Sequence, residues 1–105
     1  MGSHRYRITF EGPGGHSYGD FGMPNPAHAA GRAMAAIADL TVPASPKTTF
    51  SVGVLRGGTS VNSIPMTASF DLDMRSASQQ ALDDLDARMR ATLSAAVTAE
   101  KARWP

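Results

Sequence analysis

The chain has 105 residues, of which 42% are hydrophobic and 18% are charged, so its size and composition suit one globular domain with a single core. Its formal net charge is +1, and the charged residues of both signs are interspersed along the sequence. The charge therefore gives no electrostatic reason to expect nucleic acid or an anionic membrane as a partner. The absence of cysteine excludes disulfides, thiolate metal ligands and a cysteine nucleophile, although it does not fix the cellular compartment.

The first strand is predicted over Arg5–Glu11, where apolar and polar residues alternate as a half-buried strand requires. Residues 1–4 are interpreted as an expression scar, because no apolar segment follows that could serve as a signal peptide. We therefore assign residues 5–105 to a single domain cut from a longer protein. No apolar run approaches the roughly 20 residues that cross a bilayer, and we expect a soluble, cytoplasmic protein.

A glycine-rich loop at residues 12–23 surrounds His16, and only a specifically shaped loop tolerates such a composition. The first helix is predicted to begin with Asn25 as N-cap and Pro26 in its first turn, and to end before Pro43. Its core stripe is predicted at Ala30, Met34, Ile37 and Ala38, with small residues that would let another element approach at Ala27, Ala29, Gly31, Ala33 and Ala35.

Two further strands are predicted over Thr48–Leu55 and from Met66 to Arg75, separated by a second loop. Their alternation of apolar and polar residues is typical of an antiparallel sheet with one covered face. The covered face is predicted to hold Phe50, Val52 and Val54 of the second strand and Met66, Ala68, Phe70, Leu72 and Met74 of the third.

A long second helix is predicted from Ser76, with Gln79 completing a capping box and an apolar stripe from Leu82 to Val97. The element order β-α-β-β-α predicts an α+β fold, a ferredoxin-like two-layer sandwich with an antiparallel sheet, two helices on one face and the final strand absent. That final strand would pair with the first strand, so the edge of the first strand should be open to another chain.

Three local patterns, taken in order, resemble those of one family. They resemble the lid, or dimerisation, domain of the metallopeptidase family that includes peptidase T, glutamate carboxypeptidase, aminoacylase and N-carbamoyl amino-acid amidohydrolases. The resemblance covers nearly all of Arg5–Trp104. The three patterns are Gly14-Gly15-His16-Ser17, Gly57-Gly58-Thr59-Ser60-Val61-Asn62-Ser63-Ile64-Pro65 and Asp71-Leu72-Asp73-Met74-Arg75.

The resemblance implies a parent enzyme whose catalytic domain carries two zinc ions, held by His, Asp and Glu residues, and a glutamate general base. The chain has no His-x-Asp followed by a Glu-Glu pair, and its three histidines cannot build such a site. We expect the isolated chain to hold no cofactor and to be catalytically silent. Its implied partners are a second copy of itself, the parent catalytic domain and a peptide or acyl amino-acid substrate, with neither nucleic acid nor membrane.

For His16 the resemblance implies a role in trans, as donor of a hydrogen bond to the oxyanion of the tetrahedral intermediate in the partner subunit's active site. One such donor typically contributes about 2.7 to 4 kcal/mol of transition-state stabilisation. Outside such a pattern, a lone loop histidine is usually a solvated surface residue. Many family members have a proline a few residues after this histidine, whereas Gly19-Asp20-Phe21-Gly22 precedes Pro24 here, which indicates a subgroup with a longer loop.

Asn62 and Arg75 resemble the asparagine and arginine that hold the substrate's terminal carboxylate in this family. Arginine suits that role because its planar guanidinium can bind a carboxylate through two parallel hydrogen bonds. Turn formation is an equally good explanation of Asn62, and a salt bridge to Asp71 or Asp73 is the alternative for Arg75. The two aspartates could also suggest a metal pair, but no further ligands accompany them.

Gly14, Gly15, Gly57 and Gly58 are predicted to shape the two loops, and neither loop has the spacing and lysine of a phosphate-binding loop. We expect a symmetric dimer formed through the second strand, with the first helix alongside. One competing hypothesis is a free-standing ferredoxin-like module for small-molecule binding or assembly. Another is an RNA-binding domain of related topology, for which the sequence lacks stacking aromatics and a basic surface.

Overall fold

A computed structural model describes all residues from Met1 to Pro105. The three long strands form one antiparallel sheet in the order β1-β5-β3, and the two short strands β2 and β4 pair separately. This architecture confirms the predicted α+β class. The elements are β1 (Gly2–Glu11), β2 (Gly15–His16), α1 (Pro26–Ala38), β3 (Thr48–Gly57), β4 (Ser63–Ile64), β5 (Thr67–Ser76) and α2 (Gln79–Ala102).

The core lies between the sheet and the two helices. The central strand β5 contributes Phe70, Leu72 and Met74, each at most 1% exposed, because alternate residues of a strand point to the same face. Full burial of one such side chain is worth roughly 1.5 to 3 kcal/mol. The predicted stripe of α2 meets this face, with Leu82, Leu85, Met89 and Ala96 buried and Leu93 and Val97 packed at the margin.

Two details of the helices differ from the prediction. Ser78 caps α2 and accepts from the Ala81 N–H at 3.1 Å, whereas the predicted cap Ser76 is buried in the sheet, where its hydroxyl lies 2.9 Å from that of Thr48. In α1, Ala38 is exposed, and the prediction that placed it in the core is wrong. Ala29 and Ala33, two of the small residues predicted to let another element approach closely, are buried in the core.

The strands also depart from the predicted pattern. β1 begins at Gly2 rather than at Arg5, since the pairing with β5 continues to Gly2 opposite Ser76. A bulge between Val52 and Val54 shifts the register of β3, so that Val54 lies opposite Asp71 rather than on the core face predicted for it. Met66 precedes β5 and is 65% exposed, which contradicts its predicted place in the core.

Both outer strands of the main sheet have one edge without a neighbouring strand, because β1 and β3 each pair with β5 only. The open edge of β1 is the one predicted from the missing final strand. Neither helix is long and apolar enough to cross a membrane.

A buried carboxylate joins the start of α1 to the end of α2. Glu100 is 2% exposed and accepts from Arg32 Nε at 2.9 Å and from the Asn25 backbone N–H at 3.0 Å. Burial by itself raises the pKa of the Glu100 carboxyl. The hydrogen bonds from Arg32, Asn25 and Trp104 lower it by more, so the net pKa lies below the ordinary value of a glutamate. Trp104 also packs edge-to-face on Phe21, with ring centroids 5.2 Å apart, so the glycine-rich loop is tied to α2.

Candidate functional site

His16 and Asn62, two of the predicted site residues, lie together at one end of the domain. We call this the loop end and define it as residues 12–23 and 58–66. The strands β2 and β4 pair there, with His16 opposite Ser63, and the Ser17 N–H donates to the carbonyl of Asn62 at 3.0 Å. The two glycine-rich loops are therefore joined by backbone hydrogen bonds.

The imidazole of His16 is held by its own loop. Its Nδ1 accepts from the backbone N–H groups of Tyr18 and Gly19 at 3.3 and 3.4 Å. A neutral imidazole has one acceptor nitrogen and one donor nitrogen, so these bonds assign the proton to Nε2. His16 is exposed, and its Nε2–H is available as a donor to a group outside the chain.

Asn62 is oriented in a similar way by two serines. The Ser60 hydroxyl donates to Asn62 Oδ1 at 2.9 Å, and Ser63 Oγ lies 2.9 Å from Ser60 Oγ. Because the amide oxygen of Asn62 is occupied, its NH₂ group remains to donate outward. Both side chains therefore present hydrogen-bond donors, which suit a bound oxyanion or carboxylate.

The four glycines predicted to shape these loops all have positive φ, and three of them also lack room for a side chain. At Gly14 a Cβ atom would lie 2.7 Å from Met66 Cγ. At Gly15, with φ of 147°, a Cβ atom would lie 2.8 Å from Asp20 Oδ2. At Gly57, with φ of 141°, it would lie 2.7 Å from the carbonyl oxygen of Thr67. Only glycine combines this backbone conformation with such close approach. The φ values of Gly14 and Gly58 are 77° and 87°.

Arg75 lies far from the loop end in the same chain. It is separated by eight residues from Thr67, where β5 begins, and this corresponds to about 26 Å along an extended strand. The Nε of Arg75 donates to Asp73 Oδ2 at 3.0 Å, which is one of the two salt bridges considered from the sequence. One copy of the chain thus does not bring Arg75 and Asn62 to the same small ligand.

Arginines and aspartates pair across the exposed face of the sheet. Asp71 accepts from Arg56 through both carboxylate oxygens and also from Arg7, and these hydrogen bonds hold the pKa of the Asp71 carboxyl far below its ordinary value. Hydrogen bonds from Arg5 and then Arg75 likewise lower the pKa of Asp73. Both aspartates are therefore ionised and engaged with arginine, which explains their proximity without a metal.

The side chains of this chain do not fit the zinc site implied by the resemblance. No three His, Cys, Asp or Glu residues lie close enough to hold a metal ion. His4 contacts Asp86, with Nδ1 3.3 Å from Oδ1, while His16 is engaged by its own loop.

Sequence reasoning missed the residues that orient His16 and Asn62. Asp20 Oδ2 accepts from the His16 N–H at 2.7 Å, and the Asp20 N–H donates to the His16 carbonyl at 2.9 Å. The available signal was a short acceptor side chain four residues after His16 in a glycine-rich loop, since such residues commonly bond to nearby backbone. Ser60, two residues before Asn62, carries the same kind of signal.

The family model described as the peptidase dimerisation domain matches residues 1–100 of this chain. None of the curated proteins that were compared matches it. A match over nearly the whole chain shows the family, and the chain belongs to the peptidase dimerisation domain family.

Solved structures show the same fold. An aminobenzoyl-glutamate utilization protein from Klebsiella pneumoniae matches 93% of this chain with a TM-score of 0.86 and 20% identity, and 25% of that protein is covered. A hydantoinase/carbamoylase family amidase from Burkholderia vietnamiensis matches 95% of this chain with a TM-score of 0.81 and 22% identity. Another from Burkholderia multivorans matches 95% of this chain with a TM-score of 0.76 and 24% identity. This chain spans 25% of each of those amidases, so it corresponds to about a quarter of such a protein.

Proposed function

We propose that this member of the peptidase dimerisation domain family is the dimerisation and substrate-capping lid of a zinc-dependent exopeptidase or amidohydrolase. In this proposal His16 reaches the active site of the partner subunit and stabilises the oxyanion of the tetrahedral intermediate. The observation that carries the proposal is the outward Nε2–H of His16, whose Nδ1 is already engaged by Tyr18 and Gly19. A donor fixed before the substrate binds needs no reorganisation when charge develops on the carbonyl oxygen.

Asn62 is proposed to bind the substrate's carboxylate beside that oxyanion. Its amide oxygen accepts from Ser60, so the NH₂ group is the end of the side chain left for a ligand. The backbone bond between Ser17 and Asn62 supports a common site, because it holds the two loops in register.

Arg75 is proposed to bind the carboxylate in the active site of its own subunit, which the other subunit reaches with His16 and Asn62. Its distance of about 26 Å from the loop end, along an extended strand, excludes a shared small ligand within one copy. A two-fold dimer can still place Arg75 of one subunit near His16 and Asn62 of the other, since symmetry brings different parts of two identical chains together. The guanidinium bonds to Asp73 through Nε, which leaves its Nη atoms for a carboxylate.

The loop end itself has the character of a contact surface. Tyr18, Val61 and Met66 are 90%, 102% and 65% exposed, and Phe21 is 74% exposed. Large apolar side chains clustered on a surface are typical of interaction sites. We propose that they become covered when the lid closes on the catalytic domain of the partner subunit.

The dimer is proposed to form along the free edge of β3. A groove of about 330 Å³ lies between α1 and this strand, and it is lined by Ala27, Ala30 and Met34 of the helix and by Leu55 of the strand. Leu55 is 64% exposed, and α1 has small exposed residues at Ala27 and Gly31, so a second copy could approach both elements closely. The same surface on both copies would meet itself across a two-fold axis.

The experiment that tests the proposed function is His16→Ala in the full-length enzyme, with His28→Ala as a matched control. His28 is an exposed histidine of α1 outside the loop end. We expect His16→Ala to lower kcat by about 10²- to 10³-fold while the zinc content stays unchanged. Turnover like that of His28→Ala would remove His16 from the mechanism. A parent protein with no zinc and no hydrolase activity would instead favour a free-standing binding or assembly module.

A further inference from the structure

The turn from His16 to Asp20 is closed from both directions by one residue. The carboxylate of Asp20 accepts from the His16 N–H at 2.7 Å, and the Asp20 N–H donates to the His16 carbonyl at 2.9 Å. The first distance lies in the range of charge-assisted hydrogen bonds, which are about twice as strong as neutral ones. Asp20 thereby fixes the backbone of the residue whose side chain points outward.

The same turn positions the imidazole. Tyr18 and Gly19 lie inside it, and their N–H groups converge on His16 Nδ1 at 3.3 and 3.4 Å. Those N–H groups keep their direction only while the turn remains closed. The closure at Asp20 therefore determines which nitrogen of His16 carries the proton and where the Nε2–H points.

Gly15 provides a second, independent observation for this role. A Cβ atom there would lie 2.8 Å from Asp20 Oδ2 and 3.0 Å from Asp20 Cβ, so the Asp20 side chain occupies the space above the backbone next to His16. The φ of Gly15 is 147°, which also favours glycine. The glycine before His16 and the aspartate after it are thus fitted to each other.

We propose that Asp20 is a positioning residue that holds His16 in its Nε2–H tautomer with the donor facing outward. The catalytic consequence of this inference rests on the proposed function of His16, whereas the positioning itself does not. Asp20 acts through His16 and touches no substrate, and a donor held in one orientation avoids the loss of rate that a misplaced group causes.

The positioning is tested by NMR on the ¹⁵N-labelled 105-residue chain with three variants. Asp20→Ala removes the acceptor, Asp20→Asn keeps an oxygen acceptor without the charge, and Asp83→Ala is the matched control. Asp83 is an exposed aspartate of α2 whose side chain bonds only to Gln79. The measurements are the exchange rate of the His16 amide proton and the tautomer of its ring from ¹H–¹⁵N correlations, with His28 as internal reference.

In Asp20→Ala we expect the His16 amide to exchange on the order of tenfold faster, since a hydrogen bond to a charged group is lost. The share of the Nε2–H tautomer of His16 should fall in the same variant. In Asp20→Asn both the amide exchange rate and the tautomer share should return most of the way to their wild-type values. In Asp83→Ala neither should change, and the His28 ring should be unaffected in all variants. Unaltered exchange and tautomer in Asp20→Ala would overturn the inference, whatever His16 does in catalysis.

Kinetics of the full-length enzyme separate this inference from the proposed function. Asp20→Ala should lower kcat by about tenfold with little change in KM, and Asp20→Asn should restore most of it. If the NMR signals change but kcat does not, the positioning by Asp20 stands and its proposed effect on catalysis is overturned, while His16→Ala decides the catalytic role of His16.

Discussion

Glu100→Gln should destabilise the domain more than any other conservative exchange of a carboxylate, because Glu100 is the only buried charged residue. Its two oxygens accept from Arg32 at 2.9 Å, from the Asn25 N–H at 3.0 Å and from Trp104 Nε1 at 3.4 Å. Glutamine has one acceptor oxygen and no charge. At least one of these donors must therefore lose its partner or bond to a weaker acceptor.

The size of the effect follows from the surroundings of the donors. Loss of one partner of a fully buried ion pair costs about 3 to 5 kcal/mol, but Arg32 is 42% exposed at its side chain and can be rehydrated. The remaining cost is that of a hydrogen bond to a charged group, about 1.5 to 3 kcal/mol. We expect the free energy of unfolding at pH 7 to fall by this amount.

The assay is urea unfolding, followed by circular dichroism and by the fluorescence of Trp104, the chain's single tryptophan. Glu11→Gln, at an exposed position in β1, is the matched control. Because folding lowers the pKa of Glu100, its contribution is present above about pH 4.5, the ordinary value, and is lost as the pH falls below it. The reasoning would be refuted if the free energies of unfolding of Glu100→Gln and Glu11→Gln differed by less than about 0.5 kcal/mol at pH 7, or if their difference did not shrink in acid.

Four further substitutions test other parts of the structure. Gly57→Ala should lower the free energy of unfolding by about 1 to 3 kcal/mol, because its Cβ would meet backbone atoms. Gly31→Ala should raise the free energy of unfolding by about 0.5 to 1 kcal/mol, because Gly31 lies in α1 with open space around it. Thermal melts compare the two variants. Leu55→Glu should weaken the proposed dimer at least about tenfold in sedimentation experiments and leave the melting of the monomer unchanged, since Leu55 is 64% exposed. Ser60→Ala in the full-length enzyme should raise KM about fivefold with little effect on kcat, because it releases the amide of Asn62, which is proposed to bind ground state and transition state alike.

The parts of the fold that depend on burial were predictable from the sequence. The alternation in β5 and the apolar stripe of α2 follow directly from which face meets the core. The bulge at Gly53 was missed, because a count of alternate residues assumes a regular strand, although a glycine inside a strand is itself a signal of a bulge. Val54 was assigned to the wrong face for that reason.

The candidate site was predictable as residue types but not as an arrangement. The patterns around His16 and Asn62 indicated both side chains, and the structure joins their loops through the bond between Ser17 and Asn62. The hydrogen bonds of Asp20 leave no periodic trace in the sequence, since a local bond from a side chain to the backbone depends on loop conformation. The separation of Arg75 from Asn62, in contrast, follows from the strand predicted between them, since eight residues of extended chain span about 26 Å.

The most direct test of the proposed composite site mixes two inactive variants of the full-length enzyme, His16→Ala and Arg75→Ala, under conditions that exchange subunits. If His16 acts in the partner's active site and Arg75 in its own, each heterodimer has one intact site, and random mixing should restore about a quarter of wild-type activity. If both residues act in the same subunit's site, every site of the mixture lacks one of them. In that case the mixture would stay as inactive as the two variants alone, and the proposed composite site, with His16 and Arg75 supplied by different subunits, would be contradicted.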